Sequence, residues 1–171
     1  MAKRAHLKDY RLNDEGSYEY AGLRWTWSEG CDREALLKRA WILFAAAAGC
    51  ALAAGFVPAP GTFGAFYMVV PYALLAVALV LSGVALGRLT REGTVLRDHV
   101  YQASVPALGA KLLLGAVCAA ICGAGALVHL ALADAGQPAF SILFALLMAA
   151  AAALLFFARS AADEWDFDLM R

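Results

Sequence analysis

The sequence predicts an all-α polytopic membrane protein with four transmembrane helices arranged as two helical hairpins, and three observations carry that expectation. Hydrophobic residues make up 63% of the 171-residue chain and charged residues only 16%, with a mean hydropathy of +0.66, a balance outside the range of soluble domains. Four runs, about 40–57, 66–87, 112–132 and 140–158, contain no Asp, Glu, Lys or Arg, and at ~1.5 Å per residue each can cross a hydrocarbon core. All 14 Lys and Arg fall before the first run, between the second and third, or after the fourth. The chain therefore divides into an N-terminal segment (1–32), a four-helix transmembrane domain (33–158) and an acidic-aromatic tail (159–171).

Residues 1–16 mix both signs of charge without periodicity, and no regular structure is expected there. The following SYEYAGLRWTW alternates. A hairpin turning at Ala21-Gly22 would set Tyr20 opposite Leu23, Glu19 opposite Arg24, Tyr18 opposite Trp25 and Ser17 opposite Thr26, with aromatic and opposite-charge pairs on separate faces. The first apolar run begins near Ala40, too far along for a signal-peptide core, so the N-terminal segment is expected to be retained. Asp32 reads as the N-cap of a helix starting at Arg33, with Glu34 in its first turn and Lys38 one turn later. Pro58, Pro60 and Gly61 end that helix, and a short connection leads to the second, where Pro71 predicts a kink.

Arg88 to Lys111 is the one sizeable connection. Gly93 is suited to close the second helix, and Ser104 with Pro106 to open the third. ADAGQPA reads as a short turn, and Arg159 as the exit of the fourth span. The tail alternates Trp165, Phe167 and Leu169 with Asp166 and Asp168, a pattern for an extended segment laid on protein, with Tyr18 to Trp27 as its expected partner. Basic residues number eight before the first span, four in the central connection and two in the tail, while the two short turns hold none. The positive-inside rule then puts both termini and the central connection in the cytoplasm of a multi-pass cell-membrane protein. Zero net charge gives no expectation of nucleic acid; the lipid bilayer is the first expected partner.

Small residues recur in the spans. Gly83 and Gly87 form GxxxG, and Gly115, Cys118, Cys122 and Gly125 make a stripe at helical spacing that leads to His129; such faces let helices approach closely where lipid gives no hydrophobic drive. The stripe is expected to pack, with the first span (Ala47, Cys50, Ala51, Ala54) as its neighbour. Cys50 and Cys122 share a depth, with Cys118 one turn below Cys122 and Met148 near mid-membrane, which makes these four the candidate soft-metal or thiol set. Buried cysteine otherwise behaves as a small hydrophobe, and no metal or other cofactor is expected. His129 lies about a turn from the end of its span, where an imidazole reaches interfacial water. A disulfide-generating membrane oxidoreductase needs reactive cysteine pairs at its outer loops, which have none here. No phosphate loop, HExxH, GxSxG or catalytic carboxylate pair appears, so no catalytic residue is assigned.

The expected function is therefore non-enzymatic: an accessory or scaffold subunit that binds a larger membrane partner, or a second copy of itself, through Tyr18, Tyr20, Trp25, Trp27, Trp165 and Phe167. The alternative is a small transporter or channel of oligomerised helices, its path lined by Gly115, Cys118, Cys122 and His129. A path should border a cavity, whereas a packing seam should be filled.

Overall fold

The computed structural model describes residues 10–12, 18–20, 22–59, 64–132 and 138–170. In chain order the elements are β1 (Tyr10–Leu12), β2 (Tyr18–Tyr20), β3 (Arg24–Trp27), α1 (Arg33–Gly55), α2 (Phe66–Arg91), β4 (Val95–Arg97), α3 (Asp98–Leu132), α4 (Pro138–Asp163) and β5 (Phe167–Met170). All four helices are long and apolar enough to cross a membrane, as the charge-free runs require. Their outward faces suit lipid: Val80 is 66% and Leu146 63% exposed, an apolar exterior that water would penalise.

Local rules account for the helix ends. Asp32 caps α1 by accepting from the Ala35 backbone N–H at 3.1 Å, as its position before Arg33 dictates. Gly30 (φ 106°) and Gly93 (φ 76°) hold left-handed turns before α1 and before β4, a conformation that costs glycine nothing. α3 differs from expectation. It begins at Asp98, not at Ser104 with Pro106, and Pro106 lies inside it. The region 98–111 is helical because Val100, Ser104, Leu108 and Leu112 bury one face at steps of four. That amphipathic turn pattern outweighs the proline's tendency to stand at a helix start. The turn read at ADAGQPA falls on 133–137, outside the described residues.

Of the two expected hairpins, α3–α4 packs closely and α1–α2 does not. α3 packs along both α2 and α4, and α1 packs along α4, which gives the order α1, α4, α3, α2. α1 buries small residues, Ala40, Ala47, Ala51 and Ala54, and α4 is the helix it packs along most closely. Between α1 and α2 the backbones stay apart and bulky side chains bridge them. Tyr72 donates to the Ala51 carbonyl at 2.9 Å, Trp41 donates to the Thr90 hydroxyl at 3.0 Å, and Arg33 reaches the Leu89 and Thr90 carbonyls at 3.2 Å each. Phe44 fills the space beside Gly83. Phe144, Met148 and Leu155 of α4, with Met68, Leu75, Leu108 and Leu112, form the fully buried centre.

The chain is not all-α either. At the end where α2 finishes and α3 begins, β3 lies between β4 and β5 in a three-stranded antiparallel sheet. Trp25 pairs with Leu96 on one side and Leu169 on the other; Trp27 pairs with Phe167. The Ser17 to Thr26 hairpin is thereby overturned: Tyr18 to Tyr20 pairs with Tyr10 to Leu12 instead, in the register Tyr10 to Tyr20. β1 also overturns the expectation that residues 1–16 lack structure, while 1–9 and 13–17 lie outside the described residues. Ala-Gly is a weak hairpin turn, and β3 gains two strand partners where a local hairpin would supply one. The carboxyl-terminal segment Phe167–Met170 is extended, as its alternation predicts, and its partner is the chain's own β3.

Candidate functional site

Two places carry the side chains singled out above: the seam of α3 and the sheet-bearing end. In the seam, Cys122 is fully buried and Cys118 is 4% exposed. Gly115 abuts α2 and α4: a Cβ there would stand 3.1 Å from Leu155 Cδ1 and 3.6 Å from Ala78 Cβ. At Gly125 a Cβ would stand 3.2 Å from Met68 Cγ and 3.4 Å from Tyr67 Cδ2. The Cys122 thiol approaches the Met68 carbonyl at 3.7 Å. The seam is thus filled, and its neighbours are α2 and α4. This corrects the expected packing against α1: Ala47, Ala51 and Ala54 are buried on α1, but the bundle order places α4 between α1 and α3.

Cys50 is half-buried on α1 and Met148 fully buried on α4. Among the described residues no three His, Cys, Asp or Glu side chains gather as a metal-binding group. His129 Nδ1 lies 3.1 Å from the Tyr67 hydroxyl, so this imidazole is occupied at the exposed rim of the α2–α3 contact. Of the GxxxG pair, Gly83 backs onto Phe44 Cζ at 3.3 Å for an added Cβ, while Gly87 faces open space. Gly83 serves packing within the chain; Gly87 does not.

The sheet-bearing end is an aromatic lattice. Trp25 stacks on Tyr101 at 4.2 Å between ring centroids and 10° between planes. Tyr101 meets Phe167 edge-on at 5.3 Å, Phe167 meets Trp27 at 4.5 Å, and Trp27 meets Trp165 at 5.7 Å. The last three distances fall in the favourable range for aromatic pairs, and the Trp25–Tyr101 stack is closer still. Trp25 donates to Asp98 Oδ1 at 2.9 Å, and Gln102 donates to Asp98 Oδ2 at 2.9 Å. The indole nitrogens of Trp27 and Trp165 are buried with no hydrogen-bond partner. Outside the lattice, Arg39 pairs with Glu164 at 3.2 Å, tying the start of α1 to the end of α4.

Four of the six aromatic residues expected to bind a partner, Trp25, Trp27, Trp165 and Phe167, thus meet one another and Tyr101. Tyr18 and Tyr20 stand in β2, and their side chains lie outside the described residues. Because strand residues alternate between faces, the side opposite Trp25, Trp27 and Leu96 presents Arg24, Thr26, Val95, Arg97, Asp168 and Met170; Val95 is 37% and Met170 49% exposed. Sequence reasoning missed Tyr101, Asp98 and Leu96. The available signal was slight: an apolar Val95-Leu96 pair just after Gly93, in a connection otherwise read as loop.

No protein-family model, curated protein or solved structure matches this chain.

Proposed function

We propose that this protein is a multi-pass cell-membrane protein, with both termini in the cytoplasm, that acts without catalysis as an accessory or scaffold subunit for a larger membrane partner. The observation that carries the reading is the filled seam. A carrier or channel needs a path that polar solute can follow, and the residues that would line it here, Gly115, Cys118 and Cys122, are occupied by α2 and α4 side chains. The sheet supports the same reading: it knits the segment before α1, the α2–α3 connection and the tail into one platform at the end that carries the basic residues.

With four of the aromatic residues drawn into that platform, the surface left for a partner is the outward sheet face around Val95 and Met170. It combines apolar side chains with Arg24, Arg97 and Asp168, the mixture found at protein–protein interfaces. The test is affinity purification of the full chain in mild detergent with identification of co-purifying membrane proteins. A specific partner retained by the parent and lost in Val95→Asp/Met170→Asp supports the reading. A chain that purifies alone and catalyses solute flux in liposomes overturns it.

A further inference from the structure

On its outward flank, near the sheet-bearing end, α2 carries an open groove of about 410 Å³ lined by Val80, Gly83, Val84, Gly87, Arg88 and Arg91. Its lower part is apolar and its mouth is cationic. Val80 and Val84 are well exposed, Gly87 leaves the floor open because nothing stands within 4 Å of where its Cβ would be, and Arg88 and Arg91 project from one helix face at a step of three. Among the described residues no hydrogen bond or ion pair engages either guanidinium. From Val80 to Gly87 the groove follows about 10 Å of helix axis, a vertical apolar trough that ends under two positive charges.

We propose that this groove binds an anionic phospholipid, with one acyl chain along Val80, Gly83 and Val84 and the phosphate on Arg88 and Arg91. The proposal rests on the membrane-spanning reading and goes beyond the accessory role. Charge complementarity selects the occupant. Guanidinium groups match phosphate oxygens in a fork geometry that neutral surfaces lack, and basic sites beside membrane helices at the cytoplasmic side select anionic headgroups. A purely structural role for the two arginines exists, since cations in the last turn of a helix complement its dipole; that role needs neither the open floor at Gly87 nor the exposed valines.

The test measures thermal unfolding of the full detergent-solubilised chain titrated with phosphatidylglycerol, with phosphatidylcholine of the same acyl chains, or with inorganic phosphate, alongside native mass spectrometry. Phosphatidylglycerol should raise Tm by several degrees more than phosphatidylcholine. That difference should vanish in Arg88→Gln/Arg91→Gln and in Gly87→Leu, whose Cβ enters open space in the groove, and should survive in Arg88→Lys. Each variant is compared with its own lipid-free Tm, so a general loss of stability does not mimic loss of binding. Equal shifts with both lipids, full reproduction by inorganic phosphate, or an unchanged difference in Gly87→Leu would overturn the proposal. So would a parent that runs as a dimer and a Gly87→Leu variant that runs as a monomer, since the groove would then hold a second copy. Failure of the membrane reading has a separate signature: release of the chain from membranes by alkaline carbonate.

Discussion

Trp25 donates its indole N–H to Asp98 at 2.9 Å across 73 positions of sequence, and this bond fastens the middle strand of the sheet to the first residue of α3. Asp98 also donates its backbone N–H to the Leu23 carbonyl at 3.1 Å, so Asp98 is joined both to Trp25 and to the residue just before β3. The indole stack on Tyr101 continues the same junction one helical turn later. Trp25→Phe keeps an aromatic ring on Tyr101 but leaves the Asp98 carboxylate without that donor. The expected cost is about 1–3 kcal/mol, read as a lowered Tm. Asp98→Ala should cost a similar amount, and the double variant should cost much less than the sum, because both singles remove one bond. Strict additivity would show that the bond contributes nothing.

β5 is the other fastening. Removing Phe167 to Arg171 strips one partner strand from β3 and uncovers Trp27, which Phe167 and Trp165 now cover. The truncated chain should melt earlier and be cut by trypsin at Arg24, where the parent resists. Parent-like melting together with parent-like resistance would mean the strand pairing carries no stability.

The helices were legible because length, apolar content and the confinement of charge are all one-dimensional properties of the chain. The helix order was not. Ala40, Ala47, Ala51 and Ala54 are as compatible with α3 as with α4, and only the bulk of Trp41, Phe44 and Tyr72, which keeps α1 and α2 apart, hinted that the first two helices do not pair closely. The filled α3 seam was expected, though with the wrong neighbour. The sheet was half legible: the tail's alternation and its docking near Trp27 could be read, but β4 has three residues, too few for periodicity to register. The aromatic residues looked like a partner surface because sequence shows their chemistry and not that Tyr101, 74 residues beyond Trp27, would close the lattice.

The proposed orientation rests on the distribution of basic residues. Cys31 is half-exposed beside the sheet-bearing end, and under that proposal it lies in the cytoplasm. A membrane-impermeant maleimide should leave it unlabelled in intact cells and label it after permeabilisation. Efficient labelling of intact cells would reverse the topology.

Gly55 and Tyr72 make a narrower test of the α1–α2 bridge. The Tyr72 hydroxyl reaches past Gly55 to the Ala51 carbonyl, and a Cβ at Gly55 would collide with it. Gly55→Ala should therefore destabilise the parent, even though alanine is the better helix former by roughly 1 kcal/mol. In a Tyr72→Phe background the collision is relieved and the same substitution should become neutral or stabilising. A penalty that persists without the hydroxyl would place its cause elsewhere.

The α3 seam separates packing from chemistry most sharply. Gly115→Leu drives a branched side chain into Leu155, Leu75 and Ala78, and Gly125→Leu into Met68 and Tyr67; overpacking of this kind costs about 1–3 kcal/mol or more per site. Cys118→Ala/Cys122→Ala removes only two sulfurs from a filled interface, and cysteine in such a place behaves as a small hydrophobe, so the double variant should melt close to the parent. A soft-metal site built on Cys50, Cys118, Cys122 and Met148 predicts the opposite order, because alanine deletes the ligand atoms outright while the glycine variants leave them in place. Melting the parent and the double alanine variant with and without Cu(I) decides between them. Packing predicts the same small response in both proteins; a Cu(I)-dependent rise confined to the parent would establish that the sulfurs converge on a metal.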